Sequence, residues 1–402
     1  MDRRQFLIRS GIIACGLFSS KVWALPQSAG AGLLVVLLRG GYDGASLLVP
    51  HGFPFYYASR PNIAIAAPDP ANPNAAIDIG QGYGLHPAAS SLHALYRTGQ
   101  AVLVPFSGSA DLSRSHFQSQ DVMELGLPPS DHPDYSSGFL NRLVAALRQD
   151  GRQSGGMSFT GNPALAFRGH VDIPNISLKT EVRGMLDERQ TNLLTDLYRG
   201  ETLERYVEEG IRVRRDVFAR LENEMKDASR GASMAQGFEK EARSIAVLMR
   251  DNPAYSIGFA DLGGWDTHVN QGAASGPLAG NLLNLSRGLA GFADELGPDA
   301  WRRTIVVVMS EFGRTFRENG DRGTDHGHGN TLWVLGGGIS GGRLAGEMTG
   351  LSEKSLFQNR DLPVLNDYRS VLADLMRRMY GLDPSSLRKV FPGVSVRDYG
   401  ML

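Results

Sequence analysis

The stretch from Thr304 to Asn330, TIVVVMSEFGRTFRENGDRGTDHGHGN, delivers Glu311 at the end of an apolar, β-branched run, and Asp325, His326 and His328 follow within twenty residues. Carboxylate and imidazole groups crowded into loops beside a strand end are what a divalent-metal site is made from. A second cluster, GGWDTH, follows the strand-like segment in SIGFADL and supplies Asp266 and His268. Clusters at the carboxyl ends of strands share a crevice when those strands lie in one open α/β sheet.

Each of these residues also has a plainer reading. Asp325, His326 and His328 sit among glycines, which suits either convergence on a cation or a polar surface turn. Asp266 or its neighbour Thr267 is equally suited to cap a following helix. A carboxylate at the end of a buried strand is costly unless paired, so Glu311 is either a metal ligand or the partner of Arg314. Asp43, in the glycine-rich loop Arg39-Gly40-Gly41-Tyr42-Asp43-Gly44, is a ligand or a turn residue. Ser113-Arg114-Ser115-His116-Phe117 opens a helix, where Ser113 or Ser115 is a metal-activated nucleophile or an ordinary N-cap. His116 is open between ligand, substrate contact and core residue. His51, His86, His93, His132 and His170 stand alone and read as structural.

The positioning elements follow from hydropathy pattern. Leu33 to Leu38 and Ala101 to Phe106 are continuous apolar runs, as expected of parallel strands buried on both faces. Helix-like stretches at Pro87–Arg97 and Ser113–Glu124 alternate with them, and the pattern resumes with strands near Tyr255–Ala260, Thr304–Met309 and Thr331–Leu335, a helix at Ala279–Leu296 and a closing helix at Asn366–Tyr380. The βα alternation predicts a three-layer α/β/α sandwich around a mostly parallel sheet. Residues from about Pro54 to Gln81, rich in Pro, Ala and Asn, read as an irregular excursion or edge hairpin. Charged segments with apolar residues at spacings of three and four mark a helical insert at about 181–250, whose charge is a solvated face or a partner-binding surface.

Residues 1–24 carry Arg3-Arg4-Gln5-Phe6-Leu7, an apolar stretch from Ile12 to Phe18 and the small-residue end Val22-Trp23-Ala24. That is the layout of a twin-arginine export signal, too short to span a bilayer, and it predicts a periplasmic or secreted protein. Lipid anchoring at Cys15 is disfavoured, because the stretch before it is short for such a signal. The remaining 378 residues form a single domain, contain no cysteine and carry a net charge of −4, since the leader holds four of the 41 basic and one of the 42 acidic side chains. No disulfide framework is available. The slight acidic excess argues against a nucleic-acid partner, and no membrane span is evident.

Taken together, RRQFL, LRGGYDGASLLVP, SRSHFQSQDVME, GFLNRL, GGWDTHVNQ, VVMSEFGRT and DHGHGN resemble the exported bacterial family labelled domain of unknown function 1501, grouped with the alkaline-phosphatase-like (sulfatase-like) superfamily. The resemblance spans nearly the whole chain after the leader. It implies an α/β/α sandwich whose strand ends bind metal through Asp43, Asp266, His268, Glu311, Asp325, His326 and His328. Ser113 falls near the nucleophile position, with Ser115 and His116 beside it. Ser310-Glu311-Phe312-Gly313 replaces the superfamily's Ser-Asp-His-Gly, and no cysteine after the leader is present to become a formylglycine. The function expected is an exported metal-dependent hydrolase of phosphate or sulfate esters, using one or two zinc, manganese or calcium ions. Arg39, Arg114 and Arg314 would neutralise a small anionic ester substrate. The alternative is a non-catalytic periplasmic binding or structural protein that retains the fold; a third reading, separate from both, is that the helical insert docks a partner protein.

Overall fold

The computed structural model describes residues 30–130, 132–178, 188–201, 203–228, 237–250 and 252–402. The expected export signal and Cys15 lie outside them. Eleven strands are present among the described residues: β1 (Gly32–Leu38), β2 (Leu48–Val49), β3 (Ile77–Gly80), β4 (Tyr83–Leu85), β5 (Ala101–Gly108), β6 (Gly156–Ser158), β7 (Ile257–Leu262), β8 (Thr304–Ser310), β9 (Asn330–Gly336), β10 (Arg343–Leu344) and β11 (Asn366–Asp367). The main sheet runs β10-β5-β9-β8-β1-β7-β6, with β11 also on β5, while β2, β4 and β3 form a small separate sheet.

Every residue of β1 is buried, and its two faces feed two different cores. Leu33, Val35 and Leu37 pack with the helices Phe139–Gln149 and Tyr368–Tyr380. Leu34, Val36 and Leu38 pack with Ser90–Arg97, Phe238–Arg250 and Pro277–Arg302. This is the three-layer sandwich that the uninterrupted apolar runs predict: a strand covered on both sides has no polar face to show. The pairings β1–β7, β1–β8 and β6–β7 are parallel. β9 departs from the alternation, pairing antiparallel with both β5 and β8. Its connection from β8 contains no crossover helix, and a parallel return requires one. As a result β9 begins at the edge where β1, β5, β7 and β8 end, and its leading loop meets theirs.

The Pro54–Gln81 excursion contributes a short helix, Pro54–Ser59, and β3, which pairs antiparallel with β4 just beyond it. In the charged region the helices Glu188–Tyr198, Glu204–Ala228 and Phe238–Arg250 are described. The last of these buries Phe238, Ala242, Ile245 and Leu248 and belongs to the helical layer. The Pro277–Arg302 helix is broken at Gly297, whose φ is 72°, just before Pro298. No described helix is long and apolar enough to cross a membrane.

Candidate metal centre

Four strands aim their following loops at one point. β1 leads into Gly40 and Gly41, β7 into Asp266 and His268, and β8 into Glu311; the loop before β9 brings Asp325 and His326, and the helix His116–Leu125 after β5 brings His116 on its first turn. At that point Asp266, His268 and His326 form a closed triangle. Asp266 Oδ1 lies 2.9 Å from His268 Nε2 and 3.2 Å from His326 Nε2, and the two imidazole nitrogens are 3.0 Å apart. His116 Nε2 approaches the other oxygen, Asp266 Oδ2, at 3.4 Å. His116, Asp266 and His326 each offer a ligand atom within 4.8 Å of one another.

The far nitrogen of each ring is fixed by an acceptor. His116 Nδ1 donates to Glu311 Oε1 at 2.8 Å, His268 Nδ1 to Asp325 Oδ1 at 3.0 Å, and His326 Nδ1 to the carbonyl of Arg114 at 2.9 Å. A neutral imidazole with its hydrogen on Nδ1 keeps a lone pair on Nε2. Three lone pairs therefore face Asp266, and His116 Nε2 is buried with no hydrogen-bond partner. Lone pairs 3.0 Å apart repel unless a proton or a metal cation lies between them. Donors about 2.0–2.1 Å from one ion stand roughly 3.0–3.4 Å from each other, which is the spacing found, so the donor set fits a divalent cation. Anchoring of the remote nitrogen is also the usual companion of metal-binding histidine.

The electrostatics are graded. The hydrogen bond to Glu311 raises His116 above the ordinary imidazole value, against the opposing effect of burial. Burial lowers His326, helped by the neighbouring His116 and Arg314. Burial pushes Asp266 up, but Arg314 outweighs it and the carboxyl sits below its usual range.

The other expected residues have different duties. Glu311 is buried, and its oxygens accept from Gly40 N, His116 Nδ1, Gln120 Nε2 and Ser310 Oγ at 2.7–2.9 Å, so it stands behind His116 and outside the converging donors. Its pairing with Arg314 does not occur. Arg314, fully buried, binds Asp266 and the carbonyls of Gly40, Gly41, Trp265 and Thr324. Asp325 supports His268 and accepts from Asn319 at 3.1 Å. Asp43 lies apart: Arg60 bridges both of its oxygens inside the protein, and Ser46 and Gln271 donate to it at 2.7 Å. It caps the Gly44–Leu47 helix, as its turn reading predicted. His328 is buried against Phe357 with ring centroids 4.8 Å apart, away from the triangle. Ser113 Oγ donates to Asp111 at 2.7 Å, and Ser115, at the helix N-cap, makes no capping bond with its side chain. Neither hydroxyl has a hydrogen bond to the cluster. Arg39 and Arg114 are held by Glu124 with Asp261 and by Asp361, respectively.

Two features carry the site's geometry. Gly40 has φ 124°, and a Cβ there would lie 2.6 Å from the backbone nitrogen of Asp266. Arg114 holds φ 51°, a left-handed conformation costly for a non-glycine residue, and its carbonyl thereby meets His326. Gln120, Arg60 and Gln271 were missed in the sequence. Gln120 alone had a local signal, since it falls four residues after His116 on the same helix face.

Fold and site together define an α/β sandwich protein with a histidine-carboxylate centre at the carboxyl edge of its sheet. The chain belongs to the family described as Protein of unknown function (DUF1501), whose model matches residues 31–391. No curated protein matches it. Solved structures similar to it include Ps i-CgsB in complex with k-i-k-neocarrahexaose, at 10% identity and TM-score 0.42 over 89% of this chain and 74% of that one. The lipoteichoic acid synthase LtaP from Listeria monocytogenes matches at 9% identity and TM-score 0.40, over 89% and 73%. The C-terminal periplasmic domain of EcEptC from Escherichia coli, in complex with Zn, matches at 8% identity and TM-score 0.39, over 77% and 74%. Likeness at this level says nothing about activity.

Proposed function

We propose that the protein is an exported metal-dependent hydrolase acting on phosphate or sulfate esters, with His116, Asp266, His268 and His326 holding one divalent cation. The observation that carries this reading is the convergence of three imidazole lone pairs on one carboxylate, each ring locked from behind. Three nitrogen donors and one oxygen donor favour zinc, with manganese next. A bound ion supplies Lewis acidity toward an ester oxygen. The chain's own contribution is orientation: Arg314 pins Asp266 from below, and Glu311, Asp325 and the Arg114 carbonyl fix which nitrogen of each ring is bare. Ser113, bonded to Asp111, and Ser115 are left out of the reacting set. The ester specificity rests on the family resemblance, and export rests on the leader sequence.

One observation favours the non-catalytic alternative. Arg39, Arg114 and Arg314 are each already paired with carboxylates. A single experiment separates the readings: elemental analysis of the purified protein and of Asp266→Asn, followed by assay on aryl phosphate mono- and diesters and aryl sulfates. Hydrolysis that falls at least about 100-fold in the variant, with about one zinc per wild-type chain, supports the enzyme. Metal without turnover supports the binding protein. Absence of stoichiometric metal from the wild type, even after incubation with zinc, overturns the metal-dependent hydrolase.

A further inference from the structure

Behind His116 the contacts continue inward. Arg39 lies at the end of β1, and its Nε and Nη2 bind the carboxylates of Asp261 at 2.7 Å and Glu124 at 2.8 Å. Its remaining Nη1 donates to Gln120 Oε1 at 2.8 Å. Gln120 Nε2 in turn donates to Glu311 Oε1 at 2.9 Å. This arrangement settles the orientation of the Gln120 amide, because a flipped amide would set its NH2 against a guanidinium and its oxygen against a carboxylate. Glu311 Oε1 then receives three N–H groups, from Gly40, His116 and Gln120. An oxygen that only accepts obliges His116 to place its hydrogen on Nδ1.

We infer that Gln120 is a positioning residue of the centre. Its amide, oriented by Arg39, holds the Glu311 carboxylate in the one place where it accepts from His116 Nδ1 and leaves Nε2 bare toward Asp266. The inference rests on the proposed metal centre for its purpose, but the relay itself is a matter of hydrogen-bond direction in the metal-free protein. Gln120 touches neither Asp266 nor the other two rings in any hydrogen bond of the described residues, so it acts through Glu311.

Two substitutions separate donation from packing. Gln120→Met fills the same volume with no hydrogen bond, and Gln120→Glu still accepts from Arg39 but has no N–H for Glu311. The tautomer of His116 is read in the metal-free protein by long-range proton–nitrogen NMR of the imidazole, at a pH where the ring is neutral. Zinc affinity is read by chelator competition, and folding by thermal melts. In the wild type, His116 carries its hydrogen on Nδ1. Both variants are expected to show a mixture of tautomers and roughly 10- to 100-fold weaker zinc binding. If either folded variant retains the wild-type tautomer and zinc affinity within about two-fold, the inference is overturned. Should the wild type bind no zinc, the metal reading fails, and the tautomer measurement still decides the role of Gln120.

Discussion

An imidazole ring has two nitrogens, and what distinguishes this centre is that all three rings spend the same one on the scaffold. His326 and His268 make the point most directly, because their bare nitrogens are 3.0 Å apart and neither carries a hydrogen of its own in the neutral state, while Arg314 Nη1 lies 3.4 Å from His268 Nε2. A cation removes that conflict. His326→Ala is therefore expected to weaken zinc binding by at least about 100-fold, measured by chelator competition. An affinity within ten-fold of wild type would exclude His326 as a ligand. Conversely, Ser113→Ala and Ser115→Ala should leave any ester hydrolysis within about three-fold of wild type, since neither hydroxyl is hydrogen-bonded to the cluster. A loss of 100-fold or more in either would restore a serine to the reaction. Glu311 and Asp325 were legible as members of the site. Their place behind the rings was not, because a sequence gives residue types and spacing but not the direction of a hydrogen bond.

At the scale of the element, the glycine-rich loop after β1 and the loop after β7 are in backbone contact. Gly40→Ala forces a side chain into the backbone of Asp266 at a φ that L-residues avoid. We expect it to cost about 2 kcal/mol or more in stability, seen as a fall in Tm. A Tm unchanged from wild type would mean that the two loops separate at little cost. The antiparallel strand β9 is the other decisive element. The sequence pattern located it within a residue at each end, near Thr331–Leu335 against the observed Asn330–Gly336. Its direction was set by the length and irregularity of the β8–β9 connection, and that direction brings His326 to the edge where Asp266 and His116 already are.

Across the whole molecule, the buried Asp43–Arg60 pair ties the first loop to the segment around Thr315 and Phe316, whose carbonyls also accept from Arg60. Burial alone would raise Asp43, but Arg60, Ser46 and Gln271 hold its carboxyl below the ordinary value. A carboxyl depressed by folding contributes stability that is complete above its unfolded pKa and fades as the pH falls toward the folded value. Arg60→Met leaves that charge buried without its partner, at an expected cost of about 3–5 kcal/mol near neutral pH. The deficit relative to wild type should shrink in acid, as the variant's Asp43 protonates. Denaturant unfolding at neutral and acidic pH checks this, and a deficit that grows in acid would contradict the assigned ion pair. On the charged helices, Leu193 and Leu197 are largely exposed. Leu193→Lys with Leu197→Lys should leave stability within about 0.5 kcal/mol, and a larger drop in Tm would mean that this face is covered within the chain.

The sequence by itself determined the sandwich, the buried strands and the two clusters that meet, because burial on both faces and the chemistry of ligand residues are written in local composition. It did not determine which carboxylates would face the rings. Asp43 and Glu311 stand at strand ends just as Asp266 does, yet one is claimed by Arg60, seventeen residues away in the chain, and the other by Gly40, Gln120 and His116. Those partners come from distant segments, and competition among donors for a carboxylate is resolved only when folding brings them within hydrogen-bond reach.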